Sequence, residues 1–128
     1  MIASDPVCSI GVDVMNVAER PGRATDAASF FATFESHFTT AEWAQIRAPN
    51  WNEAKQYKQF YAYWSMKEAY IKAIGIGLGF EDLRRAEFQW DVESNAIDFR
   101  LDGRLESNWK FVLNELEKDH IVTVARRP

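Results

Sequence analysis

The 128-residue chain is long enough for one domain with its own core, and its 47% hydrophobic and 14% aromatic content excludes a disordered chain or a coiled coil. No apolar run approaches the roughly 20 residues that cross a bilayer, and the formal net charge of −4 argues against a broad nucleic-acid-binding surface. Cys8 is the single cysteine and cannot form an internal disulfide. Because the first residues also lack the segments of a secretory signal, we expect a cytoplasmic protein.

The N-terminal segment predicts a strand. Residues 7–15 alternate and are rich in Val and Ile. Within this strand Asp13 lies on the opposite face from Val12 and Val14. A loop marked by Pro-Gly follows at residues 19–23.

Two short helices are predicted next. Asp26 is placed to cap a helix that ends near Phe34. Thr39 and Glu42 match a capping box, in which each side chain accepts a hydrogen bond from the other residue's backbone. This pattern predicts a second helix that ends near Ala48, before a proline.

The rest of the chain predicts one long helix and then strands. The helix covers residues 53–74, with Gly75 as its C-terminal stop. Strands are predicted at residues 86–92, 96–101, 108–114 and 120–125, with a hairpin turn at Asp102-Gly103. The expected fold is α+β: a strand, three helices, and an antiparallel sheet of three to four strands packed on the long helix, in one domain over residues 1–128.

The second half of the long helix is the most informative segment. Trp64, Glu68 and Lys72 are spaced four apart and therefore form one row along the helix. A Glu and a Lys at this spacing are most often an ion pair on a solvated face. Here apolar neighbours leave little of the helix free to face water, so metal or phosphate chemistry is the competing interpretation.

Asp13 and Glu68 are candidate metal ligands. They lie on the first strand and the long helix, and they converge if the helix packs across the strand. Two carboxylates together with substrate phosphates are a usual arrangement for Mg²⁺. A strand Asp and a helix Glu also coincide by chance, so a cluster of salt bridges remains the alternative.

Other candidates are weaker. His37 and His120 are far apart in sequence, and we expect both to be ordinary surface or half-buried residues. Cys8 is expected to pack as a small apolar group. The run Gly75-x-Gly77-x-Gly79 follows a helix instead of preceding one, so it fails the test for a dinucleotide-binding loop.

Two blocks of the sequence resemble the 4′-phosphopantetheinyl transferases. The blocks are Gly11-Val12-Asp13-Val14-Met15 and the more specific Phe60-Tyr61-x-x-Trp64-Ser65-Met66-Lys67-Glu68-Ala69-Tyr70-Ile71-Lys72-Ala73-x-Gly75-x-Gly77-Leu78. With Phe38-Thr39-x-x-Glu42-Trp43, they resemble in particular the surfactin-synthetase-activating type, in the branch of the animal enzyme named for aminoadipate-semialdehyde dehydrogenase. The resemblance covers residues 10–126 and implies the C-terminal half of a two-half enzyme.

The resemblance implies an activity and residue roles. Such enzymes transfer the 4′-phosphopantetheine arm of coenzyme A to a serine of an acyl or peptidyl carrier protein and release adenosine 3′,5′-bisphosphate. By position Asp13 and Glu68 match Mg²⁺ ligands, Glu68 also matches the base that takes the serine proton, and Lys72 matches the residue that neutralises the leaving phosphate. Trp64, in the same row, and Lys67, which can reach a phosphate from beside the row, are further candidate contacts of the coenzyme. For Lys67 the alternative is a stem packed at the surface with its ammonium in water.

Two departures bear on the implied site. Met15 stands where many relatives carry another carboxylate, which implies a metal site completed by water. The first half's histidine motif and the basic residues for the 3′-phosphate have no counterpart in this chain.

Three hypotheses therefore stay open. One is a transferase domain (a holo-[acyl-carrier-protein] synthase) that is completed by a separate N-terminal half or by homo-oligomerisation, as in small bacterial holo-acyl-carrier-protein synthases. Another is an incomplete half that binds Mg²⁺, the coenzyme's pyrophosphate or a carrier protein. The last is a structural domain with a salt-bridge cluster of Asp13, Glu68 and Lys72.

Overall fold

The computed structural model describes residues 9–18, 26–75, 82–117 and 119–128. Within these ranges the strands are β1 (Ser9–Asn16), β2 (Ala86–Asp91), β3 (Ala96–Leu101), β4 (Arg104–Leu105), β5 (Lys110–Glu115) and β6 (His120–Arg127). The helices are α1 (Ala27–Thr33), α2 (Thr40–Ile46) and α3 (Glu53–Ile74), with 3₁₀ turns at Glu35–His37 and Leu83–Arg85. This order confirms the predicted α+β class. The expectations for Cys8, for the loop at 19–23 and for Gly77 and Gly79 lie outside the described residues.

The strands form two antiparallel sheets of three strands each, in the orders β1-β6-β5 and β2-β3-β4. In the first sheet β1 pairs with β6 over its whole length, from Ser9 opposite Arg127 to Asn16 opposite His120. The second sheet is a meander, and its β3–β4 turn has Asp102 and Gly103 at φ of 52° and 85°. The expected sheet on the long helix is thus divided in two, because β1 joins β6 and β5 while β2 and β3 pair separately.

Helix α3 has the bounds that the sequence predicts. The Asn52 side chain accepts a hydrogen bond from the Lys55 N–H at its start, and Gly75 ends it in the left-handed region at φ 73°. Consecutive residues of α3 are buried, among them Ser65, Met66 and Lys67. A helix that buries neighbouring residues is covered on more than one face. No helix in the described ranges has the length and apolar character that a bilayer span requires.

Aromatic side chains fill the core on both sides of α3. On the helical side the rings of Phe31 and Phe60 stack with centroids 5.3 Å apart. On the sheet side Phe99 lies 4.9 Å from Phe88 and 4.8 Å from Tyr70. Aromatic pairs at these distances add to the gain from apolar burial. The packing therefore holds α3 between the short helices and the sheets.

The two short helices begin as predicted. Asp26 Oδ1 accepts a hydrogen bond from the Ser29 N–H at 2.8 Å, and Thr39 and Glu42 form both hydrogen bonds of a capping box. Helix α2 ends at Ile46, two residues earlier than expected. Glu42 is fully buried, which a capping role alone does not require.

Candidate metal and phosphate site

Strand β1 crosses α3 at Gly11 in direct backbone contact. A Cβ on Gly11 would lie 2.1 Å from the carbonyl oxygen of Ala69 and 2.4 Å from the nitrogen of Ala73, so the crossing requires glycine. Asp13 is two residues further along and projects from the same face of β1. Glu68 is the residue before Ala69. The close crossing therefore brings the strand carboxylate to the charged row of α3.

The two oxygens of Asp13 have different surroundings. Oδ1 accepts a hydrogen bond from Lys72 Nζ at 2.9 Å, whereas Oδ2 is buried without a hydrogen-bond partner among the described residues. The Asp13 side chain is 8% exposed and that of Lys72 is 51% exposed. A buried polar atom without a partner costs about 1–3 kcal/mol. An oxygen with this cost, at the edge of a charged row, is suited to bind a cation.

Glu68 is half-buried, and its side chain makes no hydrogen bond or ion pair within the described part of the chain. Burial raises the pKa of Glu68 and the charge of Asp13 raises it further, while Lys72 opposes the shift. The two carboxylates therefore repel each other, and a cation between them would relieve that repulsion. The pair fits Mg²⁺, which keeps waters and binds phosphates beside one or two carboxylates. In the described residues no group of three or more His, Cys, Asp or Glu side chains is placed to hold a metal.

Lys72 connects the helix to the strand. Its ammonium bonds to Asp13 of β1, so the alternative of a Glu68–Lys72 ion pair on a solvated face is not the arrangement in the structure. Asp13, Glu68 and Lys72, predicted from different parts of the chain, are brought together.

Trp64 lies at the N-terminal end of the row and packs into the aromatic core. Its ring meets that of Phe34 edge-on, with centroids 5.2 Å apart, and stacks on the His37 imidazole at 5.5 Å.

The sequence predicts that His37 is an ordinary surface or half-buried residue. It is half-buried as expected, but it lies against the end of the row, and its Nδ1 is buried without a partner in the described ranges. His120 is exposed at the start of β6.

The structure corrects the expectation for Lys67. Its side chain is 2% exposed and donates to Glu42 Oε1 at 2.9 Å, to the Leu83 carbonyl at 2.8 Å and to the Ala86 carbonyl. These bonds use all three N–H groups of the ammonium, so none is left for a phosphate. The alternative of a surface lysine with its ammonium in water is also wrong. The reason is the helical period: Lys67 points about 100° away from Glu68 and faces β2.

Glu42 has a role in the protein interior that no sequence pattern indicates, in addition to its place in the capping box. Its Oε1 accepts from the Thr39 N–H and from Lys67, and its Oε2 accepts from the Phe88 N–H at 2.8 Å. Burial raises the pKa of Glu42 and lowers the pKa of Lys67, while the charge of each partner opposes the shift of the other. The spacing between Glu42 and Lys67 carries no signal of this contact. In the sequence, Glu42 stands out only as a residue of the capping box.

The fold and the sequence together define the class of protein. The family model described as the 4′-phosphopantetheinyl transferase superfamily matches residues 9–125, and the chain belongs to that superfamily. The chain is 41% identical to a phosphopantetheinyl transferase of Thraustochytrium, with 98% of this chain and 44% of the relative covered. It is 38% identical to the rat L-aminoadipate-semialdehyde dehydrogenase-phosphopantetheinyl transferase, with 99% of this chain and 42% of the relative covered. The predicted resemblance is confirmed, and the chain spans less than half the length of these relatives.

Solved structures support the fold. Holo-[acyl-carrier-protein] synthase of Thermotoga maritima superposes with a TM-score of 0.65 at 15% identity, over 93% of this chain and 62% of that one. The acyl carrier protein synthase of Plasmodium yoelii, solved with ADP bound, gives a TM-score of 0.55 at 16% identity, over 93% of this chain and 92% of that one. At such identities the likeness shows the fold alone.

Proposed function

We propose that this chain supplies the metal and phosphate site of a 4′-phosphopantetheinyl transferase. The reaction is the Mg²⁺-dependent transfer of the 4′-phosphopantetheine arm of coenzyme A to a serine of an acyl or peptidyl carrier protein, with release of adenosine 3′,5′-bisphosphate. The observation that carries the proposal is the convergence of Asp13, Glu68 and Lys72, with one buried Asp13 oxygen that has no hydrogen-bond partner among the residues the structure describes. Membership of the superfamily supports it.

Asp13 and Glu68 are the residues that would hold Mg²⁺, together with the pyrophosphate of coenzyme A and water. When bound, the ion supplies positive charge to the phosphate oxygens. The protein contributes one carboxylate from β1 and one from α3, and the backbone contact at Gly11 sets the position of one relative to the other.

Glu68 and Lys72 have separate tasks in the transfer. Glu68 takes the proton of the carrier serine, directly or through water, as the serine oxygen attacks the phosphorus that carries the pantetheine arm. The bond from that phosphorus to the bridging oxygen breaks, and the electron pair leaves with adenosine 3′,5′-bisphosphate. Lys72 has a half-exposed ammonium that can meet the charge growing on the leaving phosphate.

Trp64 is proposed to contact the coenzyme at the other end of the row, because its half-buried ring is held in place by Phe34 and His37. Lys67 is not part of this proposal, since its ammonium is fully occupied in the interior.

A further half is proposed to cover one face of the sheet β1-β6-β5. On that face Ile10, Val12 and Val14 of β1 are 58%, 46% and 55% exposed, and Val112 of β5 is 42% exposed. Together these residues are called the valine face. Soluble proteins seldom leave a contiguous apolar strip open to water. Because the chain spans less than half of its relatives, we assign the valine face to an N-terminal half, with a second copy of this chain as the competing occupant.

A second candidate function is an incomplete half that binds Mg²⁺, the coenzyme's pyrophosphate or a carrier protein without turnover. The limited coverage of the relatives favours it. The two candidates differ in one measurable respect, namely whether phosphopantetheine becomes covalently attached to the carrier.

The test combines binding and transfer. Titration calorimetry measures coenzyme A binding with and without Mg²⁺, and mass spectrometry follows an apo carrier protein mixed with the chain alone or with a separately expressed N-terminal half of a relative. We expect Mg²⁺-dependent binding and transfer in the complemented sample, and loss of both in Asp13→Asn and Glu68→Gln. Asp98→Asn, an exposed strand carboxylate, is the control. Binding without transfer would favour the second candidate, and no binding at all would contradict both.

A further inference from the structure

The free edge of strand β2 is closed by side chains instead of by another strand. β2 is the outer strand of its sheet. Along its open edge the Ala86 carbonyl accepts from Lys67, the Phe88 N–H donates to Glu42, and the Trp90 N–H donates to the Tyr63 hydroxyl at 3.0 Å. Alternate residues of a strand present their backbone groups to the same edge. Glu42, Tyr63 and Lys67 therefore take the place of a neighbouring strand, and we call them the β2 clamp.

The β2 clamp is buried and its charged groups are saturated. Relative exposure is 0% for Glu42 and Tyr63 and 2% for Lys67. Glu42 accepts three hydrogen bonds, and Lys67 places its remaining N–H on the Leu83 carbonyl. Fully satisfied polar networks of this kind specify one geometry. The clamp therefore holds α2, α3 and β2 in one fixed relative orientation.

This fixed orientation affects the metal and phosphate site, because Glu68 directly follows Lys67 in the chain. The Glu68 side chain has no hydrogen bond of its own in the described part of the chain, so the rotation of α3 about its axis sets where its carboxylate points. At the roughly 6 Å radius of a helix with side chains, a rotation of about 10° moves the carboxylate by about 1 Å. A displacement of about 1 Å can lower a rate on the order of a hundredfold.

Resting on the proposed function, we propose that Glu42 and Lys67 are positioning residues. They fix the rotation of α3 from the β2 side, and thereby direct Glu68 toward Asp13. From the other side α3 is held by the backbone contact at Gly11 and by the buried Ser65–Thr123 hydrogen bond of 2.8 Å.

A stabilising role alone does not account for this pair. A buried ion pair replaced by apolar residues of similar size often leaves stability unchanged or improves it. The double variant Glu42→Met/Lys67→Met removes both charges together and so avoids an unpaired buried charge. It also leaves the Phe88 N–H and the Leu83 and Ala86 carbonyls without these partners, so we expect it to stay folded but to be less stable than the parent. The matched control is Lys58→Met/Glu115→Met, which removes an ion pair between the same helix and β5 at the protein surface.

The test measures the helix itself as well as binding. Thermal melting monitors the fold, and residual dipolar couplings of the α3 amides, referred to β1 and β6, report the rotation of the helix without any ligand. Calorimetry gives the Mg²⁺-dependent affinity for coenzyme A. In Glu42→Met/Lys67→Met we expect a single cooperative melting transition at a lower temperature than in the parent, a rotation of α3 of about 10° or more, and an affinity at least about tenfold weaker. The control should match the parent in all three measurements.

Two results would overturn the inference: an unchanged helix rotation in the folded double variant, or a changed rotation with parental affinity. If the parent itself shows no Mg²⁺-dependent binding, the proposed function fails, and the helix rotation alone still decides whether the clamp orients α3. If the double variant does not fold, Glu42→Gln/Lys67→Gln takes its place, because two neutral amides leave no unpaired buried charge but cannot make all the hydrogen bonds of the parent pair.

Discussion

Gly11 of β1 and Ala69 of α3 lie in backbone contact, with no side chain between the strand and the helix. A methyl group on Gly11 would meet the Ala69 carbonyl oxygen at 2.1 Å, where the backbone atoms on both sides would have to move. The contact places Asp13 two residues beyond the crossing and Glu68 one residue before it. The distance between the two carboxylates is therefore a consequence of this glycine.

Gly11→Ala tests that dependence. The added methyl group should push β1 away from α3, lower the free energy of unfolding by about 1–3 kcal/mol or more, and weaken Mg²⁺-dependent coenzyme A binding at least about tenfold. Chemical denaturation and calorimetry provide the two measurements. Gly103→Ala is the control, because a methyl group at Gly103 would meet no atom of the described residues within 4 Å, and Gly103 lies at φ 85° in the β3–β4 turn. That variant should lose about 1–2 kcal/mol of stability and keep its binding. Parental affinity in Gly11→Ala would contradict the account.

The valine face gives a prediction about association. Val12→Thr/Val14→Thr keeps β-branched side chains of similar shape and makes the exposed face polar. We expect sedimentation velocity to show less self-association of the isolated chain, and weaker complementation by an N-terminal half. Val92→Thr, 37% exposed and outside the valine face, is the matched control. Equal association of both variants would show that the valine face is not the contact surface.

Local sequence signals predicted the helices and the turn well. The N-cap of α1, the capping box of α2, both ends of α3 and the Asp102-Gly103 turn all follow from short patterns with a physical cause. The division into two sheets was not predictable in the same way. It depends on β1 pairing with β6, more than a hundred residues later in the chain, and no local pattern encodes that choice.

The candidate site was also predictable only in those parts that depend on local spacing. The spacing of Glu68 and Lys72 shows that they share a helix face, and alternation along β1 shows which way Asp13 points. Spacing does not show what covers each face. Lys67 was therefore assigned to the phosphate side, whereas β2 and Glu42 cover the face on which it lies. The Asp13 oxygen that lacks a partner within the described ranges is likewise visible only once the fold is known.

Tyr63 gives a prediction about alkaline pH. Burial raises the pKa of Tyr63 to about 12, and its hydroxyl accepts a hydrogen bond from the Trp90 N–H. The unfolded chain ionises this tyrosine near pH 10. Because the folded pKa is the higher one, its contribution to stability is complete below about pH 10 and is lost as the pH rises toward 12. Tyrosinate absorbance of the parent minus that of Tyr63→Phe should show this group titrating only above pH 10 while circular dichroism remains native. A native-state titration of Tyr63 near pH 10 would contradict the assignment.

Tyr63→Phe also tests the hydrogen bond to β2 at neutral pH. The substitution leaves the Trp90 N–H without its acceptor, which should cost about 1–3 kcal/mol of the free energy of unfolding. Tyr61→Phe on the same helix, where the residue is half-buried, is the comparison variant, and we expect it to lose less. Chemical denaturation at neutral pH measures both. Equal losses in the two variants would count against a special role for the Tyr63–Trp90 contact.

Lys67 and Lys72 of α3 should have different effects when each is replaced by glutamine. Lys72→Gln retains a donor for Asp13 Oδ1, and Lys72 is half-exposed, so the free energy of unfolding should change by less than about 1 kcal/mol. On the proposed function, the loss of this ammonium should appear in the chemical step, because Lys72 would meet the charge that builds on the leaving phosphate. We expect kcat to fall on the order of a hundredfold or more, with a smaller change in KM.

Lys67→Gln should instead lose stability. It removes the charge that compensates a fully buried Glu42 and leaves the carbonyls of Leu83 and Ala86 with one amide between them. Removing one partner of a buried ion pair typically costs about 3–5 kcal/mol. Chemical denaturation of both variants, with carrier-protein turnover measured in a complemented sample in which the parent is active, separates the two patterns. A Lys67→Gln protein as stable as the parent would contradict the structural role of Lys67. A Lys72→Gln protein with parental kcat would contradict the role of Lys72 at the phosphate.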